Sequence, residues 1–183
     1  MITRPAEEEF APYYMKYVSL VPEGDLPPVL HAQIGDLQRV IASVSPERET
    51  YQYGPGKWSI REVLGHIIDG ERVFGYRTFC ISRGEPASLA IFDENHYVAM
   101  SQYDKIPLSE LFAEFEIVRR SNLAFLSRLD EEPAKRRGIV GNNPVSVRAI
   151  AYIMVGHVRH HINVLGRSYG ITPGAPSSSL HSV

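Results

Sequence analysis

Apolar side chains recur at intervals of three and four residues in four segments of the chain, which is the spacing of one face of an α-helix. Pro28 suits the first turn of the first predicted helix, and Pro46 lies just beyond its end. The apolar face of this helix consists of Leu30, Ile34, Leu37, Ile41 and Val44.

The second predicted helix begins at Ser59. Glu62 follows three residues later, a pairing that is typical of a capping box at a helix start. The helix ends in the sequence RGEP at residues 83–86. The connection over residues 84–107 has neither a helical nor a strand period, and loops of this length in compact domains are often functional. The buried face of the helix is predicted to comprise Ile60, Val63, Ile67, Gly70 and Phe74.

The third helix is predicted to open at residues 107–109 and to close before Pro133 and Gly138. The fourth runs from Ser146 to Tyr169, and Gly170 follows it as expected for a helix end. The face of the third helix comprises Leu108, Leu111, Phe112, Phe115, Val118, Asn122, Leu126 and Leu129. The face of the fourth comprises Val147, Ile150, Met154, His157, His161, Leu165 and Ser168.

Four long amphipathic helices, with no convincing run of alternating polarity, predict an all-α protein built as a four-helix bundle. The long connection allows the second and third helices to run parallel, so we expect an up-down-down-up order. The length of 183 residues fits one domain with its own core. We assign residues 1–183 to this domain, with 1–25 as an N-terminal extension and 171–183 as a C-terminal tail.

The net charge of −2 disfavours a dedicated nucleic-acid binder, which usually carries a basic surplus. The single cysteine, Cys80, cannot form an intramolecular disulfide and fits a reducing compartment. The N-terminus has no apolar signal segment, and no stretch approaches the ~18 apolar residues of a membrane span. We expect a cytoplasmic protein with no nucleic-acid or membrane partner.

Three histidines carry the candidate chemistry. His157 and His161 are four residues apart, so both imidazoles lie on one helical face, and this face is the apolar one. His66 lies on or beside the apolar face of the second helix and is the natural third ligand. A glycine precedes both His66 and His157, which suggests a close helix approach around a small site. Three histidines leave one metal position open, as in catalytic zinc sites.

A structural interpretation competes with this one. A single inward histidine is usually a core residue, and two histidines at this spacing are weak evidence for a metal. The third histidine lies on a second core-facing stripe, and with it the metal interpretation is as well supported as the structural one.

The sequence resembles the DinB/YfiT-like superfamily of metal-dependent enzymes. The resemblance rests on KWSIREVLGHIIDGERVFGYR at residues 57–77 and SVRAIAYIMVGHVRHHINVL at residues 146–165. It continues through RPAEEEFAPYYMKYVSLVP at residues 4–22 and FAEFEIVRRSNLAFLSRL at residues 112–129. The motifs are fairly specific to the superfamily but not to one reaction.

The resemblance implies a four-helix bundle that holds a divalent metal near one end. The family's ligand histidines fall on His66, His157 and His161, and zinc or nickel is the usual ion, with iron or manganese as alternatives. Related members include bacillithiol S-transferases and a mycothiol-dependent isomerase, many others are labelled hydrolases, and many are dimers. We therefore expect a homodimeric transferase that uses a low-molecular-weight thiol, or a hydrolase, acting on a small-molecule substrate.

Two non-enzymatic alternatives stay open, a metal-binding or dimerisation module and a helical protein whose histidines are structural. Within the enzyme hypothesis, a polar pocket beside the metal that contains arginine would favour an anionic thiol over a neutral ester or amide.

Three further residues are candidates for catalysis. Asp69 follows His66 by three residues, and it is either a base, a group that orients a ligand, or a surface carboxylate. Arg77 and Arg119 could each bind an anionic thiol or pair with an acidic residue such as Glu71. The loop ASLAIFDENHYV at residues 87–98 is expected to lie over the metal end, with pocket walls from Phe92, Asp93 and Tyr97.

Overall fold

The computed structural model describes residues 1–172. The helices and strands in chain order are α1 (Met15–Val18), α2 (Leu26–Ala42), α3 (Ile60–Ser82), α4 (Glu94–Met100), α5 (Leu108–Leu126), α6 (Glu131–Lys135), β1 (Arg137–Val140), β2 (Asn143–Ser146) and α7 (Val147–Tyr169). Single turns of 3-10 helix span Glu7–Glu9, Pro12–Tyr14, Pro46–Arg48 and Tyr103–Lys105.

The four long helices form the predicted four-helix bundle, in which α3 packs against α7 and α5, and α2 packs against the same two helices. Contacts between α3 and α5 advance together along both helices, from Arg72 with Glu114 to Phe79 with Phe125, so these helices are parallel. Along the contact between α3 and α7, residue numbers rise on one helix as they fall on the other, so these two helices are antiparallel. Residue pairing therefore gives the expected up-down-down-up order.

The helix ends follow the sequence signals. Ser59 accepts a hydrogen bond from the Glu62 backbone, and the Glu62 carboxylate accepts one from the Ser59 backbone, which completes the predicted capping box. Ser146 caps α7, and Gly170 ends it in a left-handed conformation with φ of 66°. Helix α5 stops at Leu126, earlier than its apolar stripe suggested.

The bundle also carries two short strands, for which the sequence has no convincing alternating run. Strands β1 and β2 form an antiparallel hairpin with Arg137 opposite Ser146 and Val140 opposite Asn143. Each strand has only four residues, too few to display an alternating pattern. The turn between them contains Gly141 at φ of 60°, a conformation that glycine adopts without strain.

A second element hidden from the sequence pattern lies in the long connection after α3. Residues Glu94–Met100 form the short helix α4, which Asp93 caps by accepting hydrogen bonds from the backbones of Asn95 and His96. The helix buries only Val98, so its apolar period is too weak to detect.

Residues 1–25 are part of the packed structure. Their apolar side chains Ile2, Phe10, Tyr17, Val18 and Val21 are buried in the core. Arg148 on α7 donates to Glu9, which fixes the beginning of the chain against the last helix. Of the predicted tail, only residues 171 and 172 are described; the others lie outside the described residues. None of the helices in residues 1–172 has the length and apolar character needed to cross a membrane.

A polar layer crosses the bundle between two apolar clusters. On α7 one cluster ends at Val155 and the other begins at Val158. Each of the other three long helices has a similar gap between its residues of the first cluster and its residues of the second. The buried polar residues in this gap are Gln33 on α2, Glu71 on α3, Arg119 on α5 and His157 on α7. The candidate metal ligands belong to this layer or adjoin it.

Candidate metal centre

The three histidines predicted to bind a metal converge in the interior. One ring nitrogen from each of His66, His157 and His161 lies within 4.8 Å of those of the other two. The Nε2 atoms of His66 and His157 are 2.9 Å apart, and the centroids of the three rings are separated by 4.6 to 4.8 Å. All three side chains are at most 8% exposed.

Local sequence explains this convergence. His157 and His161 share a face of α7 because they are one turn apart. His66 reaches them from α3, where Gly70 allows the close approach: a Cβ atom at Gly70 would lie 2.9 Å from Cε1 of His157.

The role expected for the two glycines beside the histidines needs correction. A Cβ at Gly156 would overlap with the backbone of Tyr17, so this glycine admits the N-terminal segment and not another long helix. A Cβ at Gly65 would overlap with the ring of Tyr103, so it admits the segment that follows α4. Both glycines bring the connecting segments onto the bundle beside the histidines.

The three imidazoles are neutral at pH 7. Burial, followed by the charge of the nearby His160, lowers the pKa of His66 to about 4. Burial and then the neighbouring histidines hold the pKa values of His157 and His161 well below their usual range. A neutral imidazole is the form that ligates a metal, so no proton has to leave the site at pH 7 before a metal binds.

The donor set fits a divalent ion. The Nδ1 atoms of His66 and His161 are buried without a hydrogen-bond partner in the described structure. A buried polar atom without a partner costs free energy, so the described chain leaves two of the three rings incompletely satisfied. Two ligands at ~2.0–2.1 Å from a tetrahedral ion are about 3.3 Å apart. The Nε2 atoms of His66 and His157, 2.9 Å apart, lie near this spacing, and the third ring offers a nitrogen within 4.8 Å of theirs.

Arg119 lies in the polar layer, fully buried, and its donors are committed to protein acceptors. It forms an ion pair with Glu71 at 2.6 and 2.9 Å and donates to Oε1 of Gln33 at 2.8 Å. Asn122 donates to the same Glu71 carboxylate, and Gln33 donates to the carbonyl of Val155, two residues before His157. Of the two sequence hypotheses for Arg119, this placement favours pairing with an acid.

Arg77 is buried at the wall of a cavity beside two of the histidines. Its Nη2 donates to the carbonyl of Ala90 at 2.6 Å, and no carboxylate in the described part of the chain forms an ion pair with it, since Glu71 pairs with Arg119 instead. This cavity has a volume of about 90 Å³ and opens to solvent. It is lined by Tyr13, Tyr14, Tyr17, His66, Phe74, Arg77, Ile91, Phe92, Glu94 and His157.

The residues of the loop at 87–98 that were expected to form the pocket wall do not all lie at the same cavity. Phe92 lines the cavity beside the histidines, as expected, whereas Asp93 caps α4 and Tyr97 lines a neighbouring cleft. Asp69 lines none of the described cavities and accepts a hydrogen bond from the Tyr103 hydroxyl at 2.6 Å. Burial raises the Asp69 pKa, and the Tyr103 hydrogen bond opposes this shift.

Sequence reasoning missed two contributors to the cavity. The tyrosines near the N-terminus contribute to this cavity: Tyr17 is part of the core, and both Tyr14 and Tyr17 line the cavity. Glu94 also lines it, from the first turn of α4. A signal did exist for the tyrosines, since three within five residues is an unusual density, but nothing local ties them to a site in α7.

Comparison with known proteins agrees with this architecture. The family model of the DinB superfamily matches residues 30–165, about three quarters of the chain. The chain belongs to the DinB superfamily. The matched segment contains all three histidines, and the resemblance that the sequence motifs indicated is confirmed.

Solved structures of low sequence identity share this fold. YfiT from Bacillus subtilis, described as a probable metal-dependent hydrolase with an unusual four-helix bundle topology, is 18% identical with a TM-score of 0.72. The match covers 92% of this chain and 94% of YfiT. A mycothiol-dependent maleylpyruvate isomerase is 12% identical with a TM-score of 0.66, over 81% of this chain and 62% of the isomerase. No curated protein sequence matches the chain.

Proposed function

We propose that this DinB superfamily protein is a metal-dependent enzyme that transfers a small anionic thiol. In this proposal His66, His157 and His161 bind one divalent ion, zinc or nickel, with iron or manganese as alternatives. The observation that carries the proposal is the buried cluster of three neutral imidazoles, two of which have a buried nitrogen without a partner.

A bound divalent ion supplies Lewis acidity, which lowers the pKa of a thiol or water that occupies its open position. The protein's own residues supply the rest. The three neutral imidazoles offer lone pairs, and the rings of Tyr17, Trp58 and Phe74 surround them and limit access of bulk water. Arg119 holds the polar layer in place through Glu71 and is therefore proposed as a positioning residue.

Thiol transfer is favoured over hydrolysis by the arginine in the cavity. Arg77 lies at the wall that also contains His66 and His157, so an anionic group of a bound thiol can reach it. Hydrolysis is the second candidate, because YfiT is described as a probable metal-dependent hydrolase and its fold matches over nearly the whole chain. A catalytic role for Asp69, a homodimeric state and a cytoplasmic location stay predictions.

The first experiment measures metal content by plasma mass spectrometry on untagged protein, beside the variants His161→Ala and His160→Ala. His160 is the matched control, because it is adjacent in sequence and half-buried but is not part of the cluster. We expect about one metal per chain in the native protein and in His160→Ala, and none in His161→Ala. Circular dichroism confirms that each variant is folded.

Cobalt substitution then separates the candidate functions. Addition of a small thiol to the cobalt-loaded protein should produce a sulfur-to-cobalt charge-transfer band if the open position accepts a thiol. A visible spectrum that responds to pH but not to thiols would favour the hydrolase. A spectrum that responds to neither would favour the non-enzymatic metal-binding module. No metal in any protein, even after loading with zinc, nickel, iron or manganese, would refute the metalloenzyme proposal.

A further inference from the structure

Arg77 and Arg119 are the two buried arginines of residues 1–172, and no carboxylate in this part of the chain forms an ion pair with Arg77. Arg119 pairs with Glu71, and Arg148 pairs with Glu9. Arg77 is only 5% exposed; it donates to the carbonyl of Ala90, and its side-chain neighbour in hydrogen-bond reach is the hydroxyl of Tyr14, which is not a counterion.

An unpaired buried cation is costly, because its desolvation is not offset by a counterion. The aromatic ring of Phe92, whose centroid lies 5.8 Å from the guanidinium carbon, compensates only in part. The guanidinium presents a planar array of donors that matches a carboxylate. This environment therefore has the charge and geometry of an anion receptor that lacks its anion within the described chain.

The same arginine stands between two cavities. The cavity beside the histidines and a second cavity share Tyr14, Phe74, Arg77 and Ile91 in their walls. The second cavity has a volume of about 50 Å³ and opens to solvent. Its remaining walls are mostly apolar and come from the N-terminal segment, the hairpin and the first half of α7, namely Ala11, Val140, Asn143, Pro144, Val145, Ile150 and Ile153.

We propose that the second cavity binds the apolar arm of a ligand whose carboxylate is held by Arg77. The protein would thus take an amphiphilic carboxylate: its reactive end faces the histidines, its charge lies at the shared wall and its alkyl or aryl part lies against Val145, Ile150 and Ile153. The placement of the reactive end rests on the proposed function. Recognition of the carboxylate and of the apolar arm does not, since neither needs a metal.

Calorimetry with a series of straight-chain carboxylates, from acetate to decanoate, tests this proposal on the full-length protein. Burial of each methylene in an apolar cavity should tighten binding about fourfold until the cavity is full. The alcohol of equal chain length should bind at least about tenfold more weakly than the carboxylate, because it cannot form the charged hydrogen bonds. Affinity that does not depend on chain length would overturn the proposal.

Three variants identify the residues responsible. Arg77→Gln should remove the preference for carboxylate over alcohol, whereas Arg72→Gln should retain it. Arg72 is the matched control, because it lies on the same helix and pairs with Glu114 at the surface. Val145→Phe should abolish the dependence on chain length while acetate binding is unchanged. Loss of the preference in Arg72→Gln as well would contradict the assignment to Arg77.

The metal-site variant His161→Ala keeps this test separate from the proposed function. His161 lines neither of the two cavities, so the carboxylate series should give the same affinities in this variant as in the native protein. Loss of carboxylate binding in His161→Ala would show that the carboxylate binds a metal ion and not Arg77. Metal content is measured on the same samples, so either proposal can fail alone.

Discussion

The ion pair in the polar layer gives the sharpest prediction about stability. Arg119 is replaced by methionine, which keeps an unbranched apolar stem but removes the guanidinium. The Glu71 carboxylate then stays buried without its cation, and Oε1 of Gln33 loses its donor. Breaking one side of a buried pair costs about 3–5 kcal/mol. For a protein of this size, that corresponds to a decrease in melting temperature of about 6–20 °C.

The double variant Arg119→Met/Glu71→Leu separates the burial of a lone charge from the loss of packing. It removes both charges, so the uncompensated carboxylate no longer contributes. Replacing a buried pair by apolar residues is often neutral or stabilising, although Gln33 still loses a partner here. We expect the double variant to be at least about 2 kcal/mol more stable than Arg119→Met alone, despite its second substitution.

Urea unfolding followed by circular dichroism measures these free energies. A chelator is present throughout, because a bound metal would add its own binding free energy to the stability. A double variant that is less stable than Arg119→Met would refute the reasoning, since it would mean that Glu71 does not carry an uncompensated charge in the single variant. Metal content, measured on separate samples without chelator, should be retained in the folded double variant, because neither Arg119 nor Glu71 is a candidate ligand.

The remaining predictions concern packing, pH and metal. Gly156→Ala should destabilise the protein by about 1–3 kcal/mol or more, because its Cβ would overlap with the backbone of Tyr17. Gly166→Ala is the control on the same helix: the nearest atom to its Cβ would be 3.7 Å away, so urea unfolding should show no loss of stability. Burial raises the Glu9 pKa, but hydrogen bonds from Arg148 and other groups outweigh this and lower it to about 2 from an ordinary 4.5. The carboxylate therefore stabilises the fold above pH 4.5, and this contribution is lost as the pH falls towards 2. Glu9→Gln should be less stable than the native protein at pH 7 and nearly equal to it near pH 2, and an equal difference at both values would contradict the assignment. Zinc at a hundredfold excess over its Kd should raise the free energy of unfolding by about 2.7 kcal/mol, as measured by the urea midpoint with and without chelator, and no shift would contradict zinc binding.

The elements that could be predicted from the sequence are those set by local periodicity. A helical repeat fixes which side chains share a face, so the shared face of His157 and His161 followed from their spacing alone. The caps at Ser59 and Gly170 were equally local. The third histidine was identifiable because it lies beside an apolar stripe of another helix.

Other features depend on contacts between distant segments, and no local pattern encodes them. From the sequence alone, several acidic residues are plausible ion-pair partners for Arg119. Only the packing of the helices selects Glu71, which is 48 residues away. The sequence shows a glycine before His66 and before His157 but not what each glycine contacts: Tyr17 lies 139 positions before Gly156. The hairpin and α4 were missed because four to seven residues are too few to establish a period.

The walls of the cavity beside the histidines come from two parts of the chain, one inside and one outside the segment that matches the superfamily model. The histidines and Arg77 lie inside residues 30–165, the segment that matches the superfamily model, whereas Tyr14 and Tyr17 precede it. Trimming the chain to the matched segment would keep every candidate metal ligand but remove one wall of the cavity. Ligand preference could therefore diverge through substitutions in the first 25 residues alone, with no change in the helices that carry the metal ligands.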